Sequence, residues 1–475
     1  MKKQAAALVS LLIVLAGLSA ALLLLRSRPP EETPTESLSM IGSFEVFRFD
    51  GPIAEVTVVP ADGTAAYTVA GLPDDSGPDG AGSTLVGRAY LPIDTTRTDD
   101  LLSTARSLEA TRLLYEDSDD YASFGLVDPL VTVRITGADG EQKTLLIGDL
   151  APDRGNYYVR LLESPTIWLV PSYRLSAYLR PETGYIDTTV TAGGAYHFYG
   201  SQSITLGGAV RAQYGDIVIT PVTAEEATPM DMHTFSLRSP VYRPLQYQYG
   251  LEAMMALCSI QAAEVLVIDP DESQLSLYGL DAPYATASLV SEEYGDFRLL
   301  AGEPDASGKV NLMREGIPLI YRVNESDLPW LGMQFFDLMN LNVSTLYLDD
   351  IDEILVSTSD RTYRFVLDHS DSSRLEVDID GRRAHRANFM TFCETLRQAR
   401  YEEITTDPLP EGAAWELQIT YRYLSGEPDK VFSFYPGPAR KYYVDAGEMD
   451  FRFYTSSLYV DKVISQVADA ALPGE

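Results

Sequence analysis

The chain has 475 residues, 45% hydrophobic and 22% charged, a balance that supports several folded domains and excludes wholesale disorder. A formal charge of −33 repels phosphodiester backbones and anionic headgroups, which argues against nucleic acid as a partner. With only two cysteines, a chain this long is not a disulfide scaffold.

The predicted elements begin with an apolar segment. Lys2 and Lys3 precede "QAAALVSLLIVLAGLSAALLLL", and Arg26 and Arg28 follow it. The uncharged run from Ala5 to Leu25 makes about 31 Å of helix at 1.5 Å per residue, one bilayer core. After the small-residue stretch "GLSAA" come four leucines rather than a polar mature start. An uncleaved transmembrane anchor over 1–28 is therefore expected in preference to a cleaved signal peptide. A long folded region after one such span reads as N-terminus inside and bulk extracytoplasmic. Residues 29–43, rich in Pro, Glu and Thr, form a solvated linker.

Folded sequence starts at "FEVFRF" (44–49), whose alternation predicts a strand. "IAEVTVVPADGTAAYTV" (53–69) reads as two strands around a polar turn and resembles "IDEILVSTSDRTYRF" (351–365). An amphipathic helix is predicted after each such pair. Its apolar positions are Leu101, Ala105 and Leu108 in one place, and Leu251, Met254, Met255, Cys258, Ala262 and Val265 in the next. Phe389, Phe392, Cys393, Leu396 and Ala399 repeat the 3.6-residue period in the last. Both cysteines thus fall on the apolar side of a helix and are expected in the core.

A hinge is then written twice. "FGLVDPLVTVRIT…KTLLIGD" aligns without a gap to "YGLDAPYATASLV…FRLLAGE". At one constant spacing Gly125 pairs with Gly279, Pro129 with Pro283, Gly148 with Gly302 and Arg160 with Arg314; after one deletion Val170 meets Val323. Such self-similarity marks a repeated supersecondary unit. Gly-Leu closes a turn, and the proline sends the chain extended into a strand. That strand buries Val131, Val133 and Ile135 in one copy and Ala285, Ala287 and Leu289 in the other. A third, weaker copy sets Tyr442, Tyr443 and Val444 against Tyr157, Tyr158 and Val159.

Each unit reads strand, strand, helix, four strands and a short terminal helix ("SYRLSAYL", "ESDLPWL"). The expected fold is α+β: an N-terminal transmembrane helix, then three tandem repeats over 44–184, 185–344 and 345–475. Each repeat is a mainly antiparallel sheet with one or two helices. "GLPDDSGPDGAGST" (71–84) is an insertion loop in the first.

The residues that could carry chemistry are sparse. His197, His233, His369 and His385 have no ligand spacing, and HExxH, CxxC and GxSxG are absent from the sequence. Asp269, Asp271 and Ser273 alternate as calcium ligands do, but lack the central glycine and distal glutamate of a calcium loop. No catalytic, cofactor-binding or metal-binding residue is expected. What stands out is aromatic and basic: Tyr157, Tyr158, Arg160, Arg314, Tyr442 and Tyr443 recur at corresponding places. They are the candidate interaction surface, beside the simpler reading that tyrosine forms strands well and arginine covers a sheet edge.

The apolar anchor, "YGL" plus proline, the alternating strand, "LLIGD", "YYVRL", "IWLV" and the short helix together resemble the bacterial family catalogued as domain of unknown function 4340. The resemblance implies membrane anchoring and a genetic setting beside gliding-motility-type ABC transporter subunits; it supplies no site residues. The function expected is therefore a non-enzymatic, single-pass extracytoplasmic accessory of such a transporter, with the membrane and transporter subunits as partners. An extracellular ligand- or glycan-binding module is the alternative.

Overall fold

The computed structural model describes residues 40–72, 82–223, 226, 234–344, 346–371, 375–445 and 451–474. The anchor expected over 1–28 lies outside the described residues, among which no helix is long and apolar enough to cross a membrane.

The first sheet is built from β1 (Met40–Arg48), β2 (Ile53–Pro60), β3 (Tyr67–Gly71), β4 (Ser83–Leu85), β5 (Ser107–Tyr115), β6 (Val131–Gly137), β7 (Gln142–Leu150), β8 (Asn156–Leu161) and β9 (Ile167–Pro171). Helix α1 (Thr95–Thr104) precedes β5, and the single turn α2 (Ser172–Leu175) closes the run. The second sheet comprises β10 (Ser203–Gly207), β11 (Ile217–Pro221), β12 (Phe235–Ser239), β13 (Arg243–Pro244), β14 (Glu264–Ile268), β15 (Ala285–Val290), β16 (Phe297–Ala301), β17 (Lys309–Arg314) and β18 (Leu319–Asn324). Its helices are α3 (Tyr247–Leu257), α4 (Glu272–Leu277) and α5 (Phe335–Leu338). The third comprises β19 (Ile351–Thr358), β20 (Thr362–Asp368), β21 (Glu376–Ile379), β22 (Arg382–Arg383), β23 (Glu403–Thr405), β24 (Leu417–Tyr423), β25 (Lys430–Pro436), β26 (Lys441–Asp445) and β27 (Arg452–Ser456), with helices α6 (Arg386–Leu396) and α7 (Ser457–Ala470).

All three sheets share one topology. The run β4-β3-β2-β6-β7-β8-β9-β5 recurs as β12-β11-β10-β15-β16-β17-β18-β14 and as β21-β20-β19-β24-β25-β26-β27-β23, every neighbour antiparallel. Only the ninth strand differs. In the first sheet β1 extends the edge beside β5, whereas β13 and β22 extend the opposite edge of the other two. The α+β prediction of three mainly antiparallel repeats with few helices holds at this level.

Period-two burial explains why the shared run pairs as it does. Val58 faces Val133 in the first sheet, Leu206 faces Ala287 in the second, and Val356 faces Ile419 in the third, all essentially inaccessible to water. A shift of one residue in any of these pairs would turn the apolar row outward. The helix between the fourth and fifth strands covers this row in the first copy, where α1 packs on β2, β3 and β4. Asp94 caps α1 by accepting from the Arg97 amide at 3.1 Å.

Two expectations need correction. The predicted unit had six strands, but each sheet has nine; the short strands after the first hairpin and the strand after the helix were missed. The predicted helices also ran too long. α3 ends at Leu257, so Ala262 lies beyond it and Val265 is on β14; Leu108 is on β5, and Ala399 lies past α6. Residues buried on a strand that follows a helix closely continue the helical spacing by coincidence, and periodicity alone cannot separate the two.

The chain divides into two compact units, the second starting at Thr188 and holding both the second and third sheets. Within that unit the two sheets share an aromatic clasp. Phe335 packs on Phe451 at 5.0 Å, Tyr401 on Phe453 at 4.3 Å, and the Arg243 guanidinium lies 4.7 Å from the Tyr401 ring.

Candidate functional site

The repeated hinge is a device for laying a turn across the open face of a sheet. Gly125 and Gly279 adopt left-handed φ of 66° and 70°, which closes a turn in each copy. The Leu126 amide then donates to the Tyr121 carbonyl at 3.0 Å and the Leu280 amide to the Leu275 carbonyl at 2.8 Å. Both leucines are buried. Gly148 and Gly302 lie directly beneath the turn and leave room for the carbonyls of Phe124 and Tyr278. The constant spacing of two glycines and a proline is thus one contact, written twice.

In the first copy the turn covers only part of the open face. Leu126, Leu146 and Ile167 form a small apolar cluster with Tyr121, Phe124 and Tyr158 against it. Beside it lies a cleft of about 510 Å³, floored by Thr132 and Arg134 on β6, Thr144 and Leu146 on β7, and Arg160 on β8, with Tyr121 as one wall. Strand register aligns these residues in rows. Thr132 is opposite Leu146, which is opposite Arg160, and Arg134 is opposite Thr144. The Arg160 guanidinium is centred 4.0 Å from the Tyr121 ring, and its Nη1 donates to the Ser164 carbonyl at 3.2 Å. Among the described residues, no carboxylate lines the cleft.

The six residues singled out from the sequence all lie on one strand position of the shared topology, namely β8, β17 and β26. The expected pairing of Arg160 with Arg314 is corrected by register. Leu145 is opposite Leu161, whereas its counterpart Leu299 is opposite Arg314. The single-residue deletion therefore falls before this strand, in the turn after Gly148 and Gly302, and Arg160 corresponds to Met313. Slipping by one reverses the face. Arg160 is on the open side, while Arg314 is on the side with buried Val310 and Leu312 and donates to the Val190 carbonyl at 3.2 Å. Tyr157, like Val159, is on the helix side of β8, and Tyr158 packs at 4.9 Å from Phe124. Tyr442 and Tyr443 keep their expected register but are buried; Tyr442 donates to Glu416 at 2.6 Å, and Tyr443 lies 4.6 Å from Tyr454. Of the six, the structure brings only Arg160 into the cleft. Sequence reasoning missed Thr132, Arg134 and Thr144. The available signal was an arginine on the polar side of a strand whose second copy carries Ser288.

The reactive groups are otherwise committed to structure. Cys258 and Cys393 are free and buried, and burial pushes their thiols up to about 11 and about 12. Asp271 is the N-cap of α4, accepting from the Gln274 amide at 2.8 Å and the Ser273 hydroxyl at 2.6 Å, which accounts for the calcium-like spacing. His197 stacks on Tyr294 at 3.8 Å, and His369 bonds the Ile351 carbonyl. Among the described residues, no three His, Cys, Asp or Glu side chains are grouped to hold a metal ion.

Glu353 on β19 is buried between Arg364 of β20 and Arg422 of β24, the latter at 2.7 Å. The hydrogen bond from Arg364, reinforced by Arg422, holds its carboxyl below the usual range against the opposing effect of burial. A lowered folded-state value means the ion pairs stabilise fully above about pH 4.3, the unfolded value, and fade as pH falls through the folded value. Glu353→Gln is expected to cost about 1–2 kcal/mol at pH 7, reduced because both arginines reach solvent, and to flatten the acid limb. Urea midpoints at pH 7 and pH 3.5 check this; an unchanged acid limb would contradict it.

Fold and site together define a tandem antiparallel-sheet protein with a cationic cleft on its first sheet. The family model described as domain of unknown function (DUF4340) matches residues 84–196 and 252–414. These segments make up more than half of the chain and include both hinges, and the chain belongs to that family. No curated protein and no solved structure is detectably similar to it.

Proposed function

We propose that this is a non-enzymatic, single-pass membrane protein whose sheets lie outside the cytoplasm and serve as an accessory or interaction subunit of an ABC-type transporter. The observation that carries the reading is the uncharged run from Ala5 to Leu25, basic on both flanks and followed by a solvated tether and three copies of one sheet. Buried thiols and carboxylates engaged in caps and ion pairs support a binding rather than a catalytic role. The transporter as partner rests on the genetic setting that the family resemblance implies. Purification of the full chain from detergent-solubilised membranes, followed by mass spectrometry, tests this. Co-purification of transporter membrane and nucleotide-binding subunits in fixed ratio is expected; recovery of the chain alone would sink the reading.

A second reading, an extracytoplasmic ligand- or glycan-binding module, is favoured by the cleft on the first sheet.

A further inference from the structure

We propose that the cleft on the first sheet binds an oxyanion, a carboxylate or a phosphate, carried on a small apolar body. The inference deepens the ligand-binding reading and is independent of any transporter.

Two cations line it. Arg134 and Arg160 project from β6 and β8, two strands and two register positions apart and so about 12 Å apart at their backbones, a span that two arginine side chains can close onto a group between them. The two are differently prepared. Arg160 is oriented by Tyr121 and the Ser164 carbonyl, yet its Nε is shielded from water and has no hydrogen-bond partner. Arg134 is exposed, and among the described residues it has no ion pair with a carboxylate. A planar guanidinium matches a carboxylate or phosphate, to which arginine binds through parallel N–H···O bonds. Thr132 and Thr144 add hydroxyls to the floor.

The rest of the cleft is apolar. Leu126 and Leu146 are buried in its wall and floor, and Val127 and Leu162 stand at it 62% and 53% exposed. Large aliphatic side chains left in water around a polar centre suit a ligand whose anionic group is attached to hydrocarbon. The volume, about 510 Å³, is that of a small-molecule site.

The other copies act as an internal control. At the positions of Arg134 and Arg160 the second sheet has Ser288 and Met313, and the third has Thr420 and Asp445. Thr144 and Leu162 become Arg298 and Glu315, which neutralise each other at 3.2 Å. The shared scaffold therefore accounts for the hinge turn of the first two copies and for the buried apolar row of all three, but not for two arginines without a carboxylate partner at one cleft in a chain of net charge −33. That combination belongs to the first sheet alone.

The test is calorimetric titration of the full chain in lipid nanodiscs, with empty nanodiscs as reference. The probes are hexanoate, hexyl phosphate and the neutral hexan-1-ol. At least one ionic probe is expected to bind with a Kd near or below about 1 mM and more weakly as salt is raised. Binding should fall about tenfold in Arg134→Gln and in Arg160→Gln and stay unchanged in Arg298→Gln. Because Arg134 is exposed on its strand, its variant keeps the test valid if Arg160→Gln disturbs the turn. Which ionic probe binds more tightly assigns the oxyanion. Failure of both to bind, equal binding of hexan-1-ol, or unchanged affinity in Arg134→Gln would overturn the proposal and leave the transporter reading untouched.

Discussion

Gly148→Ala is expected to destabilise the first unit by about 3 kcal/mol or more, and Gly302→Ala, at the matching place, by about half that. A methyl group on Gly148 would sit 2.3 Å from the Phe124 carbonyl oxygen, 3.0 Å from Leu126 Cδ2 and 3.1 Å from the Gly125 carbonyl carbon. Two of these are backbone atoms. They cannot swing away, because Gly125 closes the turn at positive φ and the Leu126 side chain is locked in the apolar cluster. Relief requires lifting the whole turn off the sheet, which also uncovers Leu146 and Ile167. At Gly302 the nearest atom, the Tyr278 carbonyl oxygen, is 2.8 Å away and the next is 3.7 Å, so a small displacement suffices. Amide hydrogen exchange over residues 121–150 and 278–302 reads each site locally. Equal loss of protection at the two, or little loss at either, would show that the duplicated glycines do not serve the close approach.

Arg211→Ala is expected to cost the second unit about 3–5 kcal/mol. This arginine follows β10 and is only 1% exposed. Backbone carbonyls, not a carboxylate, receive it: Nη1 donates to Gly207 at 2.9 Å, and Nη2 to Trp330 and, at 3.4 Å, to Leu331. Burial lowers the guanidinium to about 10, so it is still cationic at neutral pH. Truncation leaves the Gly207 and Trp330 carbonyls without these donors inside the protein and empties the volume of a large side chain. Arg211→Met separates the two contributions, since it keeps much of the volume and removes the donors; a loss of about 2 kcal/mol is expected. Hydrogen exchange in β10, β15 and residues 328–331 checks the location. A methionine variant as stable as the parent would mean that the carbonyls are satisfied without the guanidinium.

Much of the fold was legible because its signals are local. Val131, Val133 and Ile135 announce a half-buried strand in five residues, and Ala285, Ala287 and Leu289 repeat it; both are buried as read. The turn glycines were legible for the same reason, since a left-handed φ is a property of one residue. What Gly148 and Gly302 are for was not legible, because their partners are a carbonyl more than twenty positions away. The strand after each helix was lost because Val265 and Leu108 satisfy a helical period and a strand's burial equally well. Arg160 and Arg314 were matched by identity, and only hydrogen-bond register shows that a one-residue turn difference puts them on opposite faces. The cleft was hidden altogether, since Thr132, Arg134, Thr144 and Arg160 come from three strands whose order no local pattern states.

By itself, then, the sequence determined that one sheet-forming unit is used three times, where the hinge turns of two copies fall and which residues the strands after them bury. Those properties follow from backbone conformation and period-two burial, both set within a few residues. The tertiary structure alone decided the order of strands, their register and therefore which polar side chains meet on the open face. Pairing between distant segments, unlike alternation along one, is chosen by the free energy of the whole sheet.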